Sequence, residues 1–169
     1  GIAAALAFQS APVIAGSSRA FSSPAGYALR YPAGWTRVQA SSGRLLILSR
    51  GQRVQGPVIG PGQAAILVRM LASDEAIPPD ATRAPRSVRV SVSCPTWRML
   101  DTRDSTYPGP AEVNRSFYCI QGARRVLVQL THWAADPRQA SYQRAAAGVA
   151  SSLRFIAADH RRPPVAPGR

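Results

Sequence analysis

The residues of this chain that could do chemistry are few and scattered. His132 and His160 are the two histidines, and histidine is the side chain that titrates near neutrality. A Ser-His-Asp hydrolase would need one of them as base, beside a hydroxyl nucleophile and an orienting carboxylate. His160 lies in a proline- and arginine-rich tail. His132 ends an alternating apolar run in "LTHWAAD", where a lone histidine reads as a structural residue. A hydrolase using His132 stands as an alternative reading. Asp101 and Asp104 in "LDTRDST" are the nearest carboxylate pair for acid–base work. Arg103 lies between them, and the segment reads as a solvated polar loop. Asp74 and Glu75 are too few acids for a calcium cage. There is no G-x-S-x-G, phosphate-binding loop, dinucleotide fingerprint or H-E-x-x-H. No catalytic residue, cofactor-binding residue or metal ligand is therefore assigned, no cofactor is expected, and the chain reads as a non-enzyme.

Cys94 and Cys119 lack C-x-x-C spacing, and two histidines are poor partners for a cysteine metal site. In an oxidising compartment a Cys94–Cys119 disulfide is expected. It would close a loop of about 26 residues, worth roughly 3–4 kcal/mol in the chain-entropy account. A softer signal is the aromatic set with neighbouring arginines. Trp97, Tyr107, Arg124, Arg125 and Trp133 form a candidate contact surface, since interfaces enrich these types. Core packing explains part of the set equally well.

The charge bears on partners. The chain of 169 residues carries a net charge of +13, and its basic residues are all arginine. Arginine pairs bidentately with carboxylate and phosphate, so an anion-attracting surface follows. The arginines spread along 27–157, with Arg124-Arg125 and Arg161-Arg162 the adjacent pairs. No arginine stripe, RNP-type sequence or helix-turn-helix appears, which disfavours nucleic acid. The expected partner is a protein, and an acidic one would suit the charge. The alternative is a basic anion-binding module for acidic lipid, polymer or nucleic acid, with peripheral membrane contact compatible with the charge.

The elements that must position these residues are mostly strands. "YALRY" puts Tyr27, Leu29 and Tyr31 on one face. Pro32 ends that strand, Gly34 turns the chain, and Trp35 caps the core beyond. "RLLILSR" and "AAILVRML" are apolar runs of strand length, read as buried on both faces. "SVRVSVSC" gives the cleanest alternation: Val88, Val90, Val92 and Cys94 inward, with Ser87, Arg89, Ser91 and Ser93 outward. "EVNRSFYCI" and "RRVLVQLTHW" read as two strands joined by a hairpin in which Gly122 supplies positive φ. Prolines break up residues 72–86, so that segment holds one helical turn at most. The helix signal comes last. Asp136 fits the N-cap, Pro137 the first helical position, and Gln139 completes a capping box. Tyr142, Ala146, Val149 and Leu153 then form a stripe that packs on the sheet.

Composition shifts divide the chain into a leader-like or flexible segment over 1–24, one α+β domain over 25–157 and a flexible tail over 158–169. "GIAAALAFQSAPVIAGSSRA" is similar to the end of a secretory signal peptide, with small residues at two cleavage-like positions. Export to the periplasm or outside the cell is expected.

"YALRYPAGW" resembles the opening of PsbP-like domains, Tyr-x-x-x-Tyr-Pro-x-Gly-Trp, and "YQRAAAGVASSLRF" resembles their last helix. The resemblance implies the α/β/α sandwich shared with Mog-like and LpqN-type proteins: an α+β fold with a central antiparallel β-sheet flanked by helices. It also implies non-catalytic accessory work, docking to a larger assembly. The matching motifs are structural, so no binding residue carries over.

Overall fold

The computed structural model describes residues 16–41, 43–49, 59–105 and 109–158. Strand β1 (Ser18–Ser23) opens the fold, inside the segment expected to lie outside the domain. It pairs along its whole length with β2 (Tyr27–Pro32), and Phe21 enters the core. Strands β3 (Thr36–Ser41), β4 (Arg44–Leu48) and β5 (Ala64–Met70) follow. Next come the two-residue β6 (Thr82–Arg83), β7 (Trp97–Asp104), β8 (Glu112–Gln121) and β9 (Arg124–Trp133). Helix α1 (Gln139–Ser152) and the two-residue β10 (Arg154–Phe155) close the chain. Two antiparallel sheets result. One runs β1-β2-β10, the other β3-β4-β5-β9-β8-β7-β6.

The expected sandwich, with helices on both faces of a central sheet, is not what forms. Among the described residues there is one helix, and it shares a layer with the small sheet. Together they cover one face of the seven-stranded sheet. The reason is local. Residues 72–86 hold Pro78, Pro79 and Pro85, so no second helix can form there to cover the opposite face. That face is covered at one end by a loop, where Leu71, Ile77 and Ala81 pack on Leu100, Tyr118 and Leu127.

The covered face follows the strand alternation. Register places Leu45 opposite Val68 and Val68 opposite Val128, with Phe117 next across. All four are buried in one core with Tyr27, Leu29, Tyr31 and the helix stripe. Tyr142, Ala146, Val149 and Leu153 point into it as the spacing required. The edge of Tyr142 meets Trp35 at 87° with ring centroids 6.3 Å apart, so Trp35, half-buried, does close one end of the core. Strand β5 alternates buried and half-buried residues, so it is not buried on both faces as its apolar run implied. The β8–β9 hairpin turns at Gly122, whose φ is +58°.

The helix begins later than its cap signal implied. Arg138 occupies the N-cap position, and no side chain caps it. Asp136 sits in a preceding turn, where its Oδ1 accepts the Arg138 N–H at 2.8 Å. Its Oδ2 accepts the Tyr142 hydroxyl at 3.0 Å, which ties that turn to the first turns of the helix. Aspartate and proline here set a turn that feeds the helix.

Loop 71–81 is fastened by Glu75. Arg69 donates two N–H groups to its carboxylate at 2.8 and 2.9 Å, and the Ala72 N–H donates a third at 2.9 Å. The Arg69 bonds come first, then the Ala72 N–H, and they hold the Glu75 carboxyl at about 2 against an ordinary 4.5. A lowered folded value means the fastening is present above pH 4.5 and is lost as pH falls toward about 2. A carboxyl-detected NMR titration should give a Glu75 midpoint near that low value, and Arg69→Gln should return it toward the ordinary one.

Candidate functional site

Strand β9 fixes the surroundings of His132, the base that the hydrolase alternative would use. It lies on the core face between Ala64 and Val113 and is 0% exposed. Its Nδ1 is 2.8 Å from the Trp133 carbonyl oxygen. A carbonyl only accepts, so Nδ1 carries the proton. Nε2 is then the lone-pair nitrogen, buried with no hydrogen-bond partner. Its ring neighbour is Tyr142 at 5.9 Å, itself held by Asp136. Burial and then the Asp136 carboxylate push the Tyr142 hydroxyl upward, which keeps it protonated. No hydroxyl nucleophile is bonded to this imidazole. His160 lies outside the described residues.

Asp101 and Asp104 are not loop residues but belong to β7, where a spacing of three places them on opposite faces. Asp101 takes two bonds from Arg115, both 2.8 Å. Asp104 stands opposite Glu112, whose carboxyl is pushed up by burial and then by Asp104. Among the described residues no group of three or more His, Cys, Asp or Glu could hold a metal ion.

The expected contact surface does not assemble. Trp97 is buried at one end of the β7–β8 pair, opposite Cys119. Trp133 lies half-buried at the far end of β9, opposite Glu112. Arg125 is half-buried and bonded to the Glu75 carbonyl. Arg124 is exposed, with its guanidinium 5.5 Å over the Phe155 ring. Tyr107 lies outside the described residues. The aromatic type that marked Trp97 for a surface suits a core just as well, and here the core took it.

The exposed apolar side chains are elsewhere, in the segment read as the cleanest strand. Residues 84–96 form no strand; Val90 is 63% exposed and Val92 is 93% exposed. The edge of β7 is taken instead by β6, and the Ala84 N–H donates to the Trp97 carbonyl at 2.9 Å. That bond is the neck of a loop over 85–96, with Pro85 and Pro95 near its ends. Its backbone finds partners one by one. Ser91 N–H bonds to the Cys94 carbonyl, and Cys94 N–H returns to Ser91 Oγ, both 3.0 Å. Arg89 N–H reaches Ser151 Oγ on α1 at 2.9 Å. Ser93 Oγ accepts the Phe155 N–H, and the Val92 carbonyl accepts Gln121 Nε2, both at 3.0 Å. Val88 alone of the valines enters the core.

The Cys94–Cys119 disulfide clamps this loop to β8. It fits a protein matured in an oxidising, extracytoplasmic compartment. Residues 1–15 of the signal-like stretch lie outside the described residues, and its last residues belong to β1. No helix among the described residues is long and apolar enough to cross a membrane.

Three arginines lie close in the chain or in register to the residues that anchor the valine tip. Arg124 faces Gln121 across the hairpin, and Gln121 holds Val92. Arg154 adjoins Phe155, which bonds to Ser93, and Arg89 precedes Val90 by one residue. All three arginines are exposed. Behind the loop is a cavity of about 380 Å³ lined in part by Arg83, Val88, Val90, Trp97 and Arg98. The arrangement offers two apolar side chains on a fixed support, with exposed arginines and a pocket nearby.

No protein-family model matches the chain, and no curated protein matches it. Among solved structures it is similar to one described as a crystal structure from Bacteroides thetaiotaomicron VPI-5482 at 1.50 Å resolution. The TM-score is 0.51 at 12% identity, over 86% of this chain and 51% of that one. The chain thus spans about half the length of that structure, and the likeness concerns the fold alone.

Proposed function

We propose that the chain is a non-catalytic, exported accessory domain, periplasmic or secreted, that docks to an acidic protein surface through its 85–96 loop. One observation carries this reading: Val92, 93% exposed, stands on a loop fastened by a disulfide and by bonds to α1, β8 and β10. A chain does not gain from displaying an aliphatic side chain to water. A pre-ordered loop loses less entropy on binding than a mobile one, so the anchoring supports recognition. Arg89, Arg124 and Arg154, near the residues that anchor the tip, supply complementarity to carboxylates and speed encounter.

The test is photo-crosslinking in cells, with the reactive group at position 92 or, as control, at position 38. A single acidic partner trapped from 92 and not from 38 is expected. Val92→Asp should leave the melting temperature unchanged and weaken binding to that partner by about tenfold or more, the scale of one lost buried contact with charge repulsion. Equal trapping from both positions would overturn the reading.

A further inference from the structure

We propose that the free edge of β7 pairs with the same edge of a second copy of this chain. Strand β7 is bordered by β8 along its whole length, whereas β6 reaches only Arg98 and Met99. Past those two residues, no strand among the described residues takes that edge. Asp101, Thr102 and Arg103 are exposed there.

The backbone direction follows from one bond. The Ala84 N–H donates to the Trp97 carbonyl at 2.9 Å, so Trp97 turns its peptide groups away from β8. In an antiparallel ladder alternate residues bond to opposite neighbours. Met99 therefore serves β6, and Asp101 and Arg103 turn their N–H and C=O groups outward from the sheet. Unpaired peptide groups on an edge are a template for another strand.

The register selects the partner. A two-fold pairing has to set outward-bonding residues against one another. Centred on Asp101, it opposes two carboxylates and runs Arg103 into Met99, which β6 already holds. Centred on Arg103, it opposes two guanidinium groups. Centred on Thr102, it sets Asp101 of each copy against Arg103 of the other, and each such pair exchanges both N–H···O=C bonds. Opposite charges across strands attract and like charges repel. Charges on an edge ordinarily keep other strands off. Here they admit one register of the chain's own sequence. Residues 101 and 103 share one face of the strand. Two bonds of 2.8 Å from Arg115 fix the Asp101 carboxylate on that face, and Arg103 has no ion-pair partner among the described residues. The two Thr102 side chains meet across the axis on the other face, at the closely spaced kind of pair. The contact is short, so the dimer is weak and concentration-dependent.

The proposal is independent of the docking role, and Val92→Asp should leave self-association unchanged. Sedimentation equilibrium of the whole chain, from micromolar to millimolar concentration, should show a monomer–dimer equilibrium that weakens with added salt. Arg103→Asp and Asp101→Arg should each weaken it by about tenfold or more, because each turns both attractive pairs into like-charge pairs. Mixed together, the two variants should form a heterodimer as tight as the parent dimer, since every pair is then opposite in charge. A second readout leaves the charges alone. Thr102→Cys should cross-link two copies on mild oxidation, and Ser105→Cys should not, because only position 102 faces itself. A chain that stays monomeric and does not cross-link through position 102 would overturn the proposal. So would an Arg103→Asp variant that associates like the parent, a mixture of the two folded variants no tighter than its components, or equal cross-linking from 102 and 105. A monomer whose β7 edge instead takes up an added peptide of alternating threonine and valine would assign the edge to another protein's strand, and would overturn it as well.

Discussion

Replacing Cys94 and Cys119 together by alanine is expected to cost about 3–4 kcal/mol of stability. The cross-link joins residues 25 apart in sequence, so its loss frees a loop of that length in the unfolded chain. The chain-entropy account puts the effect near 3.5 kcal/mol, which for a domain of this size lowers the melting temperature by roughly 10 °C. The native state loses something as well. Both cysteines are 0% exposed and sit among Val88, Trp97 and Val126, so truncating them opens space in the core. The double variant and the reduced protein should unfold at similar temperatures. Amide exchange in the double variant should rise first over 85–96, because the loop is then held to the rest of the fold by its Val88 packing and a few hydrogen bonds to Ser151, Gln121 and Phe155. A melting temperature within about 2 °C of the parent, a shift of no more than about 1 kcal/mol, would count against the disulfide as the main fastening.

The second large effect is expected at Tyr27. It is 0% exposed, and its hydroxyl donates to the Gly43 carbonyl at 3.0 Å. The small sheet is thereby fixed on the large one, with Phe21 packed at 6.2 Å between ring centroids. Tyr27→Ala should cost about 3–5 kcal/mol, the range for deleting a buried aromatic ring. Tyr27→Phe keeps the ring and gives up the hydrogen bond, so about 1 kcal/mol is expected. Denaturant unfolding separates the two. A Phe variant as unstable as the Ala variant would show that the bond, and not the packing, joins the sheets.

The same hydroxyl gives a pH signature. Burial pushes its pKa up to about 12 from 10, against a smaller opposing effect from a Ser23 hydrogen bond. A raised folded value means that Tyr27 contributes stability fully below pH 10, and that this contribution is lost as pH rises toward about 12. Unfolding free energies measured across that window should fall in the parent and fall less in Tyr27→Phe.

The places where the sequence misleads share a cause. Val88, Val90, Val92 and Cys94 alternate as well as any strand in the chain, yet only Val88 and Cys94 are buried. Alternation reports which side chains could share a face. It does not report whether a neighbouring strand is free to pair. Here Thr82–Arg83 takes the edge of β7, and prolines near both ends keep the intervening residues out of register. Asp101 and Asp104 teach the same lesson in reverse. Their polar segment reads as a loop, but Arg115 opposite Asp101 lets a charged stretch pair as a strand.

Residue type and spacing alone determined the local features. These are the strand face of Tyr27, Leu29 and Tyr31, the Gly122 hairpin, the helical stripe from Tyr142 to Leu153, and the pairing of Cys94 with Cys119. Each rests on interactions between residues close in the chain or on a pair with no competitor. Tertiary structure decided what covers what. It set the helix beside the small sheet in one layer, drew β1 from the head of the chain into the fold, buried His132 and Trp97, and left Val90 and Val92 in water. Those outcomes depend on which of several apolar surfaces meet across long stretches of chain. That competition is resolved by the summed burial of the whole domain, which no short window of sequence contains.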